Sequence, residues 1–493
     1  MKQKKAGTSA LGIVRNESLA DFGKREMGVY TEEVNLARAV PDLIDGLKPV
    51  QRRIMWAASL LGHDFVKTAR VVGDCIGQYH PHGDQSVSSA ITTIVQSNVP
   101  TISGKGNWGS LIDPAAAMRY TNCRLSEYGN TFFGSDYINK EVTSFVPNYD
   151  DTTREPVSLP ALMPNVLLNG GEGIGVGTTT MLPTFTPESV AEMMVKLLSG
   201  KKVTSEDFAK TLKYANRYGG RVVKRRENKV AWAQLFKASS SSIQFEAALI
   251  VDRDNKAIEI DDWPKGLNPL KFIAKVRTFA GVDQAYNHSG ATGFRIEADR
   301  KFNYAQFDSL VAKIQKATQV RRSFRINVTH RRSEINDGVV SFDTKYLTLS
   351  VPQLLLAWLR ERLALEKRSL EFRIRRQTEA IAYSKLLGYA SLNLDVIFKA
   401  LRAADSKAFM MKHLKLEAVQ ADQILELKVR QLSKLDQDAI KEKLRLQQEF
   451  MKQLKSWLAK PKAKVLDDTQ LVMAAIEKDR KFEIAKDRKM SVS

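Results

Sequence analysis

The sequence predicts an α+β multidomain protein, and three patterns predict it. Short amphipathic segments broken by Pro and Gly fill the stretch to residue 185. Alternating apolar–polar runs recur over 186–350, and helical periodicity is nearly unbroken from 351 onward. A chain of 493 residues holds about three domains on the usual size relation. The expected divisions are an N-terminal arm (1–30), a winged helix-turn-helix module (31–185) and an α/β unit (186–350). A helical arm (351–391), a small helical knob (392–435) and a return arm with a tail (436–493) follow.

The elements are justified in order. Residues 1–30 carry mixed charge and little periodicity, which reads as an arm. A helix is expected from Thr31, capped by that hydroxyl and broken by Pro41. Lys48-Pro49 opens a second helix, Val50 to about Leu61, with Ile54, Ala57, Ala58 and Leu61 on one face and Gly62 at its end. A third is expected over Thr68–Ile76 and a fourth over Asp84–Gln96, with Asp84 as its cap. The Gly-rich, strand-prone stretch Thr101–Leu111 then supplies a wing, and such a module sets one helix N-terminus against DNA. Ser242–Glu246, Ala257–Ile260 and Gly293–Glu297 alternate as half-buried strands. Pro352 starts a helix expected to run to about Leu387, where Gly388 stops it. Leu356, Leu363 and Leu370 repeat every seven residues, as do Leu444, Met451 and Leu458. Two separated seams of this kind predict a long antiparallel coiled coil. The Leu- and Ile-rich knob between them has little chain with which to bury itself, so self-association is its expected use.

Composition narrows the function. Lys and Arg number 76 against 55 Asp and Glu, a net charge of +21. That surplus favours a polyanionic partner, most simply nucleic acid. An anionic membrane surface is disfavoured, because no long helix divides cleanly into basic and apolar faces. No apolar run approaches the ~20 residues of a membrane span. The basic N-terminus, Met1-Lys2-Gln3-Lys4-Lys5, lacks the apolar segment of a secretory signal. Two cysteines without a CxxC pair give neither a zinc site nor a disulfide framework, which fits a reducing cytoplasm.

Chemistry concentrates at Ala115-Ala116-Ala117-Met118-Arg119-Tyr120. A phenol oxygen can attack phosphorus and form a covalent ester, and an adjacent guanidinium stabilises the charge that develops. Such a dipeptide also occurs by chance, so its company matters. The Gly-rich approach Ser103–Gly109 precedes it, and the turn Tyr79-His80-Pro81-His82-Gly83-Asp84 lies about forty residues upstream. Arg38, Lys48, Arg52 and Arg53 add cations to the same module, suited to phosphate contact or to a solvated face. Asn169–Gly177 matches neither a dinucleotide fingerprint nor a P-loop. Its glycines let the backbone approach something closely and display Ile174, unless they mark a tight strand corner. His288 and His330 read as isolated, ordinary residues.

Taken together these motifs resemble the breakage-reunion (A) subunit of type IIA DNA topoisomerases, as in gyrase and topoisomerase IV. The runs that carry the resemblance are Arg38–Arg53, Ala69–Asp74, Tyr79–Asp84, Gly106–Ser110, Ala115–Tyr120 and Asn169–Gly177. It weakens over 186–350, a tower-like region, and returns at Gln423–Leu432 in the knob. The resemblance implies Tyr120 as the nucleophile of a 5′-phosphotyrosyl link, with Arg119 and Arg38 assisting at the phosphate. It implies DNA or active-site contacts for Lys48, Arg52, His80 and His82, and an intercalating wedge role for Ile174. It implies a homodimer gated by the knob, double-stranded DNA as substrate, and an ATPase B-type partner that binds both ATP and Mg²⁺. The expected outcome is transient double-strand cleavage and passage of a second duplex.

Bacterial members usually continue into a DNA-wrapping β-pinwheel, whereas this sequence stops at Ser493. Relaxation and decatenation without active negative supercoiling are therefore expected, as in the short subunits of large tailed phages. Gln85 and Ser89 replace the Ser and acidic residue tied to quinolone binding, so weak drug sensitivity is expected. The competing readings are a non-catalytic architectural DNA binder and a tyrosine recombinase. The Arg119-Tyr120 pair opposes the first. The stalk, knob and wedge oppose the second.

Overall fold

Ser18 opens the first helix. Its Oγ accepts from the Asp21 N–H at 3.1 Å, and the helix runs over Leu19–Val34 before widening into a π-turn, Asn35–Ala39. Thr31 thus lies inside a helix rather than at its start, and the described part of the expected arm is helical from Leu19. The widened turn is held from afar: the Asn35 amide accepts from Val176 N–H at 3.0 Å and donates to Val176 O at 3.1 Å. Such an anchor lies outside any local pattern. The computed structural model describes residues 18–289, 293–336, 339–426 and 437–490; residues 1–17 of the arm and the 427–432 part of the knob motif lie outside them.

Three helices follow, Pro49–Leu60, Thr68–Gln78 and Asp84–Val95, all within a residue or two of expectation. Asp84 is the first residue of its helix and Gly83 the cap, so the carboxylate serves the N-terminus as a charge. A three-stranded antiparallel sheet packs beside them, ordered Val66–Lys67, Asn122–Leu125, Ile102–Lys105.

The expected boundary at 185/186 is crossed by a sheet. Its five strands run in the order Gly171–Ile174, Thr179–Leu182, Val320–Arg325, Ser240–Glu246, Arg221–Val222. The largest core crosses it too, joining Leu43, Ile54 and Leu167 to Ile243, Phe324 and Val328. It continues into Leu354 and Trp358 of the long helix and Val465 and Val472 near the C-terminus. A second core lies under the four-stranded sheet Ile250–Asp252, Ala257–Ile260, Gly293–Ala298, Val282–Ser289, around Trp263, Phe294 and Phe307. The strands at 240–246, 257–260 and 293–298 are those the alternation predicts.

The long helix Val351–Leu392 spans roughly 63 Å at 1.5 Å per residue. The Ser350 N–H donates to Gln353 Oε1 at 2.8 Å to open it, with Pro352 in the first turn. The helix passes through Gly388 instead of stopping there. A glycine costs only ~1 kcal/mol in a helix, and a Cβ here would sit 3.5 Å from Ile440, so the returning helix packs against it. That helix, Gln437–Ala459, continues after Lys460 as Pro461–Met490. Gly388 faces Ile440, Gln377 Nε2 donates to Gln447 O at 2.9 Å, and Arg362 pairs with Asp468. One set of numbers falls as the other rises, so the pair is antiparallel.

The first expected seam is partly displaced. Leu356 is 51% exposed, whereas Leu355 and Leu359 are buried, because this end of the helix turns that face to the main core, to which Val465 and Val472 of the Pro461–Met490 helix also contribute. Leu444, Met451 and Leu458 are half-buried around the buried Leu454. Beyond the pair, Leu394–Ala400, Ser406–Leu414 and Ala418–Leu425 enclose a third core of Leu386, Ile397, Met410 and Ile424.

Candidate functional site

Tyr120 stands just before the central strand Asn122–Leu125. Its neighbour Thr121 is buried, with Oγ1 2.8 Å from Thr68 Oγ1 and its carbonyl accepting from Thr68 N–H at 3.1 Å. On the other side, Tyr120 N–H donates to Ala117 O at 2.9 Å. Gly106, at φ +97°, lies so close that a Cβ there would be 3.3 Å from the Tyr120 carbonyl. The backbone is therefore pinned while the side chain is 66% exposed. The exposed Arg119 places its guanidinium carbon 4.9 Å from the Tyr120 ring centre, a cation–π contact. The Gly-rich approach has a packing cause: a Cβ on Gly104 would run into the indole of the buried Trp108.

A second group forms at the His turn. The His80 and His82 rings stack at 4.2 Å and 14°. His80 Nδ1 lies 3.2 Å from Arg53 Nη1, and Arg53 also forks onto Glu155 with two bonds of 2.7 Å. A guanidinium only donates, so Nδ1 accepts and Nε2 carries the ring proton when His80 is neutral. Burial, and then the charges of His82, Arg53 and Arg38, push the His80 pKa down to about 4. Neutral imidazole is thus the form at neutral pH. Arg38, exposed at the end of the π-turn, belongs to this group by its field at His80.

The third group surrounds the glycine-rich hairpin. Gly171–Ile174 pairs with Thr179–Leu182, and Ile174 is 88% exposed at its end. The close approach that the glycines allow is to the chain itself: a Cβ on Gly173 would strike the Ala39 carbonyl, and one on Gly175 the Asn35 side chain. Lys48 Nζ donates to the Glu172 carbonyl at 2.6 Å, and burial lowers its pKa. The Glu172 carboxylate holds Lys265 at 2.8 Å and Arg322, and these cations keep its pKa below the usual range against the opposing effect of burial.

Arg52 is a correction. It does not reach the surface. Its guanidinium is buried and grips Asp45 at 2.5 and 3.0 Å, while Asp45 also accepts from Leu47 N–H and Leu159 N–H. The charge braces the turn before the Pro49–Leu60 helix, because a buried arginine needs a carboxylate partner more than a phosphate ever arriving from outside. Among the described residues no hydrogen bond, ion pair or ring contact joins Arg119–Tyr120 to Arg38, His80 or His82.

The bracing acids Asp45, Glu155 and Glu172, with Lys265 and Arg322, escape motif reading. Glu155 meets Arg53, and Glu172 meets Lys265 and Arg322, from far along the chain, while Asp45 and Glu172 lie inside marked motifs whose residue pattern carries no sign of a bracing role. His330, read as isolated, is buried with Nε2 3.4 Å from Glu361. Among the described residues no group of three or more His, Cys, Asp or Glu side chains is placed to hold a metal ion.

An exposed tyrosine beside an arginine shares one module with basic and imidazole groups, a set of side chains suited to contact with phosphate oxygens. Comparison sharpens the class: the family model of the DNA gyrase/topoisomerase IV A subunit matches residues 38–470, and the chain belongs to that family. It is 31% identical to the A subunit of DNA topoisomerase 4 from Pseudomonas aeruginosa over 90% of this chain and 58% of that protein. It is likewise 31% identical to the A subunit of topoisomerase 4 from Escherichia coli K12 (86% and 57%). To the A subunit of DNA gyrase from Borrelia hermsii it is 29% identical (91% and 56%). The chain thus spans somewhat over half the length of these relatives. No described helix is long and apolar enough to cross a membrane.

Proposed function

We propose that this chain is the DNA-cleaving and religating subunit of a type IIA topoisomerase. The observation that carries the reading is the Tyr120 phenol, freely exposed on a pinned backbone with Arg119 against its ring. In cleavage the Tyr120 oxygen forms a bond to phosphorus as the bond from phosphorus to the 3′ oxygen breaks. The phenol loses its proton and the departing 3′ oxygen gains one, leaving a 5′-phosphotyrosyl ester. Arg119, with Arg38, stabilises the charge on the phosphate oxygens. Neutral His80, donating from Nε2, and His82 contact the DNA backbone beside them, as does Lys48 once released from Glu172. Ile174 wedges between base steps and bends the duplex. Reversal reseals the strand without an external energy source, because the ester retains the energy of the broken bond.

The three helices and sheet of the first module are read as a winged helix, residues 186–350 as the tower, and the antiparallel helices as a coiled-coil arm. The knob is read as a homodimer gate; Leu392 and Val419 are exposed there. The resemblance assigns ATP and, in the main, Mg²⁺ to a B-type partner subunit. Relaxation and decatenation, in the cytoplasm, remain the expected outcome. A trapped-cleavage assay with that partner, duplex DNA and Mg²⁺, quenched with detergent, tests the reading. A 5′-linked adduct lost in Tyr120→Phe supports it. DNA binding with no adduct beside an active partner would favour the architectural alternative.

A further inference from the structure

Tyr120 leads into the central strand of the three-stranded sheet, Asn122–Leu125, and both outer strands end level with the start of that strand. Cys123 stands between Val66 and Gly104, and this row faces the core, with Cys123 fully buried. One residue nearer Tyr120 the pleat reverses. Lys67, Asn122 and Lys105 form a row on the opposite face, and both lysines are exposed. Each lysine adjoins a residue that pins Tyr120. Thr68 follows Lys67 and donates its N–H to Thr121 O at 3.1 Å, while Gly106 follows Lys105 and lies against the Tyr120 carbonyl. Lys105 Nζ rests 4.2 Å from the centre of the Phe65 ring, which the Arg124 guanidinium also meets, at 4.8 Å. Among the described residues neither ammonium makes an ion pair or a hydrogen bond.

The two lysines thus stand about 10 Å apart across the row, two strand spacings of ~4.8 Å. None of the three strands contains an acid to offset them. Two like charges on one face, fixed to the backbone that fixes the phenol, make a local field that a polyanion completes. We propose that Lys67 and Lys105 grip the DNA backbone at phosphates flanking the one that Tyr120 meets. Contacts of this kind set register and carry no sequence information, so the pair determines where the duplex rests against the phenol and not which bases lie there. Lys105 is held ready on Phe65, whereas Lys67 is ordered only by the phosphate. The inference deepens the strand-cleavage reading and rests on it for the identity of the attacked phosphate.

The test measures binding of the full chain to a short labelled duplex by fluorescence anisotropy over a series of salt concentrations. Each phosphate contact adds about 0.9 to the slope of log affinity against log salt, so Lys67→Gln and Lys105→Gln should each lower it by about 0.9 and the double variant by about 1.8. Lys67→Arg and Lys105→Arg should restore it, because either cation meets a phosphate. Lys452→Gln, an exposed position on the return helix, should leave it unchanged. Beside the B-type partner, the two Gln variants should need severalfold more duplex for half-maximal adduct yet reach the same adduct at saturation, the signature of lost binding and not lost chemistry. Melting curves check that each variant is folded. Unchanged slopes in both Gln variants, or an equal drop in Lys452→Gln, would overturn the proposal. The slopes are read without the partner, so they decide this proposal even where no adduct forms. A missing adduct from the unsubstituted chain counts against the cleavage reading instead.

Discussion

The Glu172 carboxylate stands 2.8 Å from the Lys265 ammonium, tying the strand that displays Ile174 to a turn far along the chain. The same residue's carbonyl receives Lys48, and Arg322 completes the set. The hairpin is thus held by its own backbone and by charges from three separate parts of the sequence.

Glu172→Gln keeps the shape but weakens the ion pairs. Both partners are substantially exposed, so the change in unfolding free energy should stay below about 1 kcal/mol. Its effect should appear in DNA bending, read by fluorescence transfer between the ends of a short duplex, as a severalfold drop. Ile174→Ala should leave stability within about 0.5 kcal/mol and abolish most of the bend. Unchanged bending in Ile174→Ala would remove the wedge assignment.

Arg52 and Asp45 should behave as a structural pair. Asp45→Asn or Arg52→Ala leaves a buried partner uncompensated, with an expected loss of about 3–5 kcal/mol in denaturant unfolding. A variant of normal stability that merely binds DNA less well would instead return Arg52 to the DNA surface.

Tyr120→Phe should abolish the covalent adduct with no change in melting, because the hydroxyl is exposed and the ring stays. Arg119→Gln should slow cleavage on the order of 100- to 1,000-fold, as expected for loss of a charge-stabilising donor. Adduct formation by Tyr120→Phe would show that another residue is the nucleophile.

His80 should titrate near 4, well below its ordinary 6.5, in an NMR pH series. Between those values the unfolded chain binds a proton that the folded chain does not, so stability rises with pH across that window. The stabilisation is present above about 6.5 and is lost as pH falls through about 4. His80→Gln should flatten that part of the stability profile. A midpoint near 6.5 would place His80 in a solvated setting.

Much of this molecule is legible in its sequence. The helices at 49–60, 68–78 and 84–95 follow from local apolar spacing and their Pro and Gly borders, and the alternating strands at 240–246 and 293–298 from period-two patterning. Family membership follows from several ordered motifs, since each requires particular residues at fixed local offsets. Tertiary structure alone decided the rest. It carried the helix through Gly388 by packing Ile440 against it, and turned Leu356 outward because the core takes Leu355 and Leu359 instead. It joined both sides of residue 185 through one sheet, and buried Arg52 on Asp45. Local patterns record what a segment can do with its near neighbours. Which face is buried, and which charge finds a partner, depends on the rest of the chain folding around them.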